Sequence, residues 1–343
     1  MKPLRVLHAP AEIAGQASVL ARALREFGVE AHSLAYNPGF PQYRPDEMRD
    51  YDARPLPARY AGYLASLARH AGRYEVYHFH FGRSLVPPHN PDLPLYHALG
   101  ATVLFHYHGC DVRNRAHMLA THERAACTEC DPFCSPPRQR AILAQAKRWV
   151  DAELVSTPDL LESAPAAAHF PVAADLRDYV PAPPSGPPKL VIHAPTNRLI
   201  KGTRYVERAY EVLRGRFPDT RFVTLEGLPW DDLRTELARA DVVVDQLFMG
   251  WYGMVAVEAM ALAKPVLCFV RPDFEPRLDG CPIVRTTRET LADDLERVLS
   301  STTERGLLGE AGRAYVERVH AAPVLARRLL RIYESLREAR ARA

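Results

Sequence analysis

A chain of 343 residues, 47% of them apolar and 25% charged, is not a disordered chain, and no apolar run in it approaches the roughly 20 residues a membrane span needs. It is longer than one hydrophobic core usually supports, so two domains of roughly 150 residues are expected. The formal charge of +3 fits an anionic substrate as easily as an anionic membrane surface, and the lack of a basic run interleaved with aromatics argues against nucleic acid as a partner.

The opening Met1-Lys-Pro-Leu-Arg-Val-Leu-His8 reads as a short strand over 4–9 rather than an export sequence, which makes the cytoplasm the expected location. A turn with Gly15 follows, then a helix from Ala17 to Phe27 that stops at Gly28. Gly15 at the helix start can admit an acceptor or a phosphate close to the backbone, or simply serve the turn. Glu30–Ala35 is a second strand. The stretch 37–57, rich in Pro, Tyr and Asp, reads as a long loop of the kind that borders a substrate. Arg59–Arg73 is an amphipathic helix whose basic face is solvated or at most touches a membrane surface peripherally.

Val76–His80 and Ala101–His108 are strand-like runs that end in histidines and then in Gly82 and Gly109. In an open parallel sheet the ligand crevice lies at the carboxyl ends of the strands, so His80, Arg83, His108 and Asp111 are expected at one edge. His78 and His106, inside the strands, read as hydrogen-bonded core residues. A helix over 138–150 and a strand over 153–156 complete this half. The run Pro181-Ala-Pro-Pro-Ser-Gly-Pro-Pro188 is the best linker in the chain.

After the linker the alternation restarts: strand 190–194, the loop Pro195-Thr-Asn197-Arg198-Leu-Ile-Lys201-Gly202, a helix to about Arg216, strand 221–225 ending at Gly227, and a helix near 231–238. The stretch Asp241–Val266 then combines a buried strand around Asp245, a turn with Gly250 and Gly253, and a helix from Gly253 to Ala263 carrying Glu258. Free N–H groups of Gly253, Met254 and Val255 at that helix start form an anion site, with Tyr252 alongside. Glu258 lies roughly 7 Å further along the axis, in reach of a sugar ring attached to a bound phosphate. Strands near 265–270 and 282–284 and helices over 288–299 and 303–319 follow, and a last helix over 323–340 is expected to pack back on the first domain. Strand–helix alternation on both sides of a linker predicts two doubly wound Rossmann-like α/β domains, 1–180 and 189–322.

Six cysteines divide into two kinds. Cys268 and Cys281 read as isolated small core residues. Cys127-x2-Cys130-x3-Cys134 is spaced as in a structural zinc knuckle, with Cys110, His117 or His122 as fourth ligand, or else as unpaired thiols or an occasional redox pair.

Several of these segments together resemble the GT-B glycosyltransferases, in particular the retaining family numbered four. Ala14-Gly-Gln-Ala-Ser-Val-Leu-Ala-Arg-Ala-Leu24 is similar to the family's first glycine loop, and His78-Phe-His80, His108-Gly-x-Asp111 and Phe170-Pro-Val-x2-Asp175 to its later landmarks. The most specific segments are Asn197–Gly202 and Glu258-Ala-Met-Ala-x2-Lys-Pro-Val266. The resemblance implies two domains facing a central cleft. It implies a donor diphosphate on Arg198 and Lys201, the nucleotide ribose on Glu258, and the donor further contacted around Gly15, Asn197, Gly202, Gly227, Tyr252, Gly253, Met254 and Val255. His108 is placed beside the transferred sugar, with His80, Arg83 and Asp111 toward the acceptor. Two departures stand out. Gly250 occupies the place where the family carries a second, sugar-contacting glutamate, leaving Asp245 or Gln246 to reach in instead, and the Arg198-to-Lys201 spacing is shorter than usual.

The expected activity is therefore transfer of a sugar from a UDP- or GDP-sugar, with retention of configuration and without a catalytic metal, to a carbohydrate, natural-product or lipid-linked acceptor. A nucleotide-sugar 2-epimerase of the same fold and a non-catalytic nucleotide-sugar-binding protein are the alternatives.

Overall fold

The computed structural model describes residues 2–37, 43–130 and 134–342. The chain divides into two compact units, the first built from Met1–Asn114, Cys134–Ala173 and Ala322–Ala343, the second from Arg115–Phe133 and Ala174–Ala321. The junction lies at 173/174, ahead of the proline-rich run at 181–188. That run is laced to the second unit: the Ala182 N–H donates to Leu262 O at 3.0 Å, and Thr302 Oγ1 and the Arg305 guanidinium both donate to Gly186 O. Proline removes N–H donors but leaves carbonyls, and with the Gly186 carbonyl accepting two of these bonds the run is not a free tether.

In the first unit seven strands form one parallel sheet: β1 (Arg5–Ala9), β2 (Glu30–Ala35), β3 (Glu47–Met48), β4 (Val76–His80), β5 (Thr102–Tyr107), β6 (Ala152–Val155) and β7 (Ala168–His169), ordered 3-2-1-4-5-6-7. Alternation along the strands sends Leu7, Tyr77, Phe79, Val103 and Phe105 into one core and Val6, Val76, Leu104 and Leu154 into another. The second core is closed by the Gln16–Arg25 helix and by the Ala322–Arg342 helix, whose Leu325, Leu329 and Tyr333 are buried there. The same face changes chemistry toward the carboxyl edge, where His8, His78, His80 and His106 continue the positions of Val6, Val76 and Leu104.

The second unit carries five parallel strands, β8 (Leu190–His193), β9 (Arg221–Thr224), β10 (Val242–Val244), β11 (Val266–Cys268) and β12 (Val284–Arg285), ordered 12-11-10-8-9. Neighbours β8 and β10 lead away in opposite directions through the order, so the crevice at their carboxyl ends is the expected ligand position. The segment Arg115–Phe133, which the sequence reading assigns to the first domain, belongs to this unit. Among its described residues, Glu129 pairs with Arg204 at 2.6 Å, Arg124 with Glu289 at 3.2 Å, and His122 with Arg271 at 2.9 Å. No helix of the described residues is long and apolar enough to cross a membrane.

Candidate functional site

Groups at the carboxyl edge of β8 and β10 converge on Asp245. Asn197 caps a short helix, Arg198–Lys201, by accepting from Leu199 N and Ile200 N at 3.0 and 3.1 Å. That turn delivers Lys201, buried, onto Asp245 Oδ1 at 2.7 Å. Gly202 ends the turn and lets the Thr203–Arg214 helix start at once. The second oxygen of Asp245 accepts the Gly253 N–H at 2.6 Å. One of the three N–H groups expected to be free at the start of the Met254–Ala261 helix is therefore occupied by the protein's own carboxylate. The N–H groups of Met254 and Val255 have no partner inside the helix and keep the anion-binding capacity.

Glu258 lies one turn along that helix and is buried. Its Oε1 accepts from Trp230 Nε1 at 2.9 Å and from the Tyr179 hydroxyl at 3.0 Å. Burial pushes its pKa up to about 7, with the nearby Asp245 charge adding to the rise and the two donors opposing it. Tyr179 and Trp230 carry no motif that marks them. Trp230 is placed by the Gly227-Leu-Pro229 turn, whose Pro229 precedes the Trp230–Arg239 helix, and Arg234 sits 4.9 Å over its ring.

Several expected contacts are arranged otherwise. Arg198 is half exposed and its guanidinium is divided between Glu207 and Glu226, each at 2.7 Å, so it must leave both to meet a phosphate. Tyr252 is 2% exposed, and its hydroxyl is held by Tyr315 at 2.8 Å and His320 at 3.0 Å, an internal brace rather than a ligand contact. Gln246 does not reach in: its amide donates to Trp251 O and Phe269 O and accepts from Phe248 N and Met249 N, which saturates it. Asp245 is spent on Lys201 and Gly253. Gly250 has φ +74°, and a Cβ there would lie 2.8 Å from the Arg271 side chain, so the backbone and its neighbour both exclude the glutamate expected at this place.

In the first unit Gly15, at φ +76°, precedes the Gln16–Arg25 helix as expected, but the anion site at that helix start is already filled. The Glu12 carboxylate accepts from Ala17 N at 3.2 Å and Ser18 N at 3.1 Å, and burial pushes its pKa up to about 7. Gly15 therefore has no phosphate-binding helix start to serve. His80 and His108 do meet, Nδ1 to Nε2 at 3.0 Å. Burial holds both well below the usual imidazole range, so both are neutral. Asp111 is turned inward and accepts from His108 N and Gly109 N, fixing the loop that carries His108, and its pKa is raised to about 6 by burial. Arg83 is separate from the histidines. It forms a two-pronged pair with Asp52 at 2.8 and 2.9 Å, beside a cavity of about 410 Å³ that Arg59, Tyr60, Tyr63 and Arg138 also line.

Cys127 is buried against Met118 and Ala125 with Cys130 beside it, in the second unit, whereas Cys134 belongs to the first. Asp131 and Pro132 of this segment lie outside the described residues, as do residues 38–42 of the loop expected over 37–57. Cys268 is buried and Cys281 half-buried, both unpaired.

No protein-family model matches the sequence, and no curated protein matches it. Solved structures do. Sucrose-phosphate synthase from Thermosynechococcus elongatus superposes with a TM-score of 0.62 at 15% identity, covering 98% of this chain and 100% of that one. HepE from Anabaena, solved in complex with UDP-glucose, gives 0.64 at 13% identity over 96% and 99%. A putative UDP-N-acetylglucosamine 2-epimerase from Listeria monocytogenes gives 0.59 at 14% over 96% and 95%. At these identities the likeness is one of fold: two Rossmann-like domains, each a parallel sheet flanked by helices, of the GT-B class.

Proposed function

We propose that the chain is a nucleotide-sugar-dependent enzyme, and specifically a retaining glycosyltransferase using a UDP- or GDP-sugar. The observation that carries the reading is the convergence of Lys201, the Met254–Ala261 helix start and Glu258 at the carboxyl edge of one parallel sheet. A diphosphate takes the Lys201 ammonium and the Met254 and Val255 N–H groups, and Arg198 moves onto it from Glu207 and Glu226. A ribose hydroxyl pair takes Glu258 Oε2. When the bond from the anomeric carbon to the diphosphate breaks, its electrons go to the diphosphate oxygen, whose growing charge these cations and dipoles stabilise. The acceptor hydroxyl attacks from the same face and passes its proton to that leaving oxygen, which retains configuration. His108 of the first unit is the candidate beside the transferred sugar, His80, Arg83 and Asp111 are the acceptor-side candidates, and the acceptor is a carbohydrate, natural product or lipid-linked glycan.

Thermal-shift screening against UDP, GDP and their sugars tests the reading, because a ligand that binds only the native state raises the melting temperature. No shift with any nucleotide sinks it. A second reading, 2-epimerisation, draws support from the epimerases among the structural neighbours. Incubation with donor alone separates the two: an epimer seen by proton coupling constants favours the second, and none favours transfer.

A further inference from the structure

The pocket beside Arg83 holds a positive charge that the donor-side chemistry does not use. It encloses about 410 Å³, a volume typical of small-ligand pockets, and the residues lining it all belong to the first unit. Three elements bring arginines to it. The Leu56–His70 helix presents Arg59 and Tyr63 one turn apart on the same face, with Tyr60 next to Arg59. The turn after β4 supplies Arg83, and the first turn of the Pro136–Trp149 helix supplies Arg138. Gly82 lets these last two elements approach: its φ is +57°, and a Cβ on it would lie 2.9 Å from the Ile142 side chain of that helix.

Among the described residues lining the pocket, one carboxylate, Asp52, stands against these three guanidinium groups. It is already saturated, since it accepts both prongs of Arg83, the Tyr63 hydroxyl at 2.6 Å and the Asn37 amide at 2.9 Å. Arg83 and Asp52 cancel, which leaves the charges of Arg59 and Arg138. Arg59 donates only to a main-chain oxygen, Arg54 O, which carries no net charge. Arg138 is half-buried, its side chain has no ion pair or hydrogen bond among the described residues, and its Nε is fully shielded from water.

The helix backbone adds to the excess. A cation in the first turn faces the positive end of the macrodipole, and this turn holds no acidic residue and no side-chain hydrogen bond from Ser135 at its cap. Burial, and then the neighbouring Arg83 charge, lower the Arg138 pKa from its usual value. An unpaired cation so placed is unfavourable, and an anion in the pocket relieves it.

The other walls are apolar or aromatic. Leu56, 63% exposed, lines the pocket together with Tyr60 and Phe81. Phe81 is held at φ +60° immediately after β4, a left-handed conformation that a bulky residue rarely adopts. A bare ion makes no use of such walls, whereas a sugar ring has an apolar C–H face to lay against them.

We propose that this pocket binds an acidic sugar group, one bearing a carboxylate or a phosphate, with the acid on Arg59 and Arg138 and the ring against Tyr60 and Leu56. The Arg83–Asp52 pair stays intact. That the group is part of the sugar acceptor rests on the transferase reading; the acid site itself does not.

The test is calorimetric titration of nucleotide-free protein at low salt with glucuronate, glucose 6-phosphate, inorganic phosphate and glucose. At least one acidic sugar should bind roughly 10-fold or more tighter than both glucose and inorganic phosphate, and which of the two binds names the acid. Arg59→Gln and Arg138→Gln, neither of which breaks an ion pair, should each weaken that binding roughly 10- to 100-fold. Arg140→Gln makes the same charge change at an exposed position of the same helix, outside the pocket, and should leave the binding as it is. Acidic sugars that bind no better than glucose overturn the proposal, and inorganic phosphate that binds as tightly as they do overturns the part played by the ring. Affinity unchanged by Arg59→Gln and Arg138→Gln puts the acid elsewhere, and an equal loss with Arg140→Gln reduces the effect to net charge; either result also overturns it. With no nucleotide present and no turnover measured, failure here and failure of the transferase reading are separate results.

Discussion

The two units repeat one local device, a parallel strand, a glycine turn and a helix, and use its anion site in opposite ways. In the first unit Glu12 fills the helix start, taking the Ala17 and Ser18 N–H groups. In the second, Asp245 takes only the Gly253 N–H and turns its other oxygen to Lys201, so a cation and two helix N–H groups remain beside it. The backbone pattern alone therefore does not make a phosphate site. What decides is whether a carboxylate from the same chain has claimed the first turn.

The sharpest way to break this contrast is Lys201→Met. Removing one member of a buried ion pair leaves Asp245 uncompensated and should cost about 3–5 kcal/mol of stability, measured by urea unfolding. Adding Asp245→Asn should recover much of that loss while nucleotide binding, measured by calorimetry, stays absent. Glu12→Gln and Glu258→Gln separate the two acids. Loss of a charged hydrogen-bond acceptor costs about 1.5–3 kcal/mol, so Glu258→Gln should weaken nucleotide affinity roughly 10- to 100-fold. Glu12→Gln should leave affinity unchanged and cost the fold less than that at pH 7 and above, where burial disfavours the wild-type charge.

A pH series sharpens the comparison further. Both acids have pKa values raised from 4.5 to about 7 in the folded protein, so between those values the native state holds protons that the unfolded chain has released. Stability should therefore be fully present below about pH 4.5 and decline as pH rises to about 7, by roughly 3 kcal/mol for each acid, with each glutamine variant flattening its own share of the slope. Ligand-free protein unfolded in urea at several pH values measures this. Gly250→Glu should destabilise by about 1–3 kcal/mol, through its positive φ and the Arg271 contact, and gain no donor affinity. The smallest effect on stability is expected from Arg198→Ala, within about 1 kcal/mol, because its ion pairs are solvent-exposed.

Much of this was readable from residues in order. Apolar alternation and glycine punctuation mark the strands and turns, and Lys201, Asn197 and Glu258 stand out because their spacing places them at strand ends and on a helix. Partners that meet across long separations were not readable. Tyr179 and Trp230 converge on Glu258 from elsewhere in the chain, and nothing local distinguishes them. Glu12 is invisible as a cap because it lies outside the usual capping position. Tyr252 and Gln246 mislead for the converse reason, since a polar side chain next to a glycine turn looks available until its buried partners are known. The grouping of Arg115–Phe133 with the second unit depends on Arg204, Arg271 and Glu289, which are far away in sequence.

The Ala322–Arg342 helix has a consequence for how the protein is made. It supplies Leu325, Leu329 and Tyr333 to the core of the unit that holds the Arg5–Ala9 strand. A ribosome must therefore pass Tyr333 before the unit that holds Arg5–Ala9 can close this sheet face, and a stop codon at Ala322 would injure that earlier-made unit while leaving Ala174–Ala321 complete.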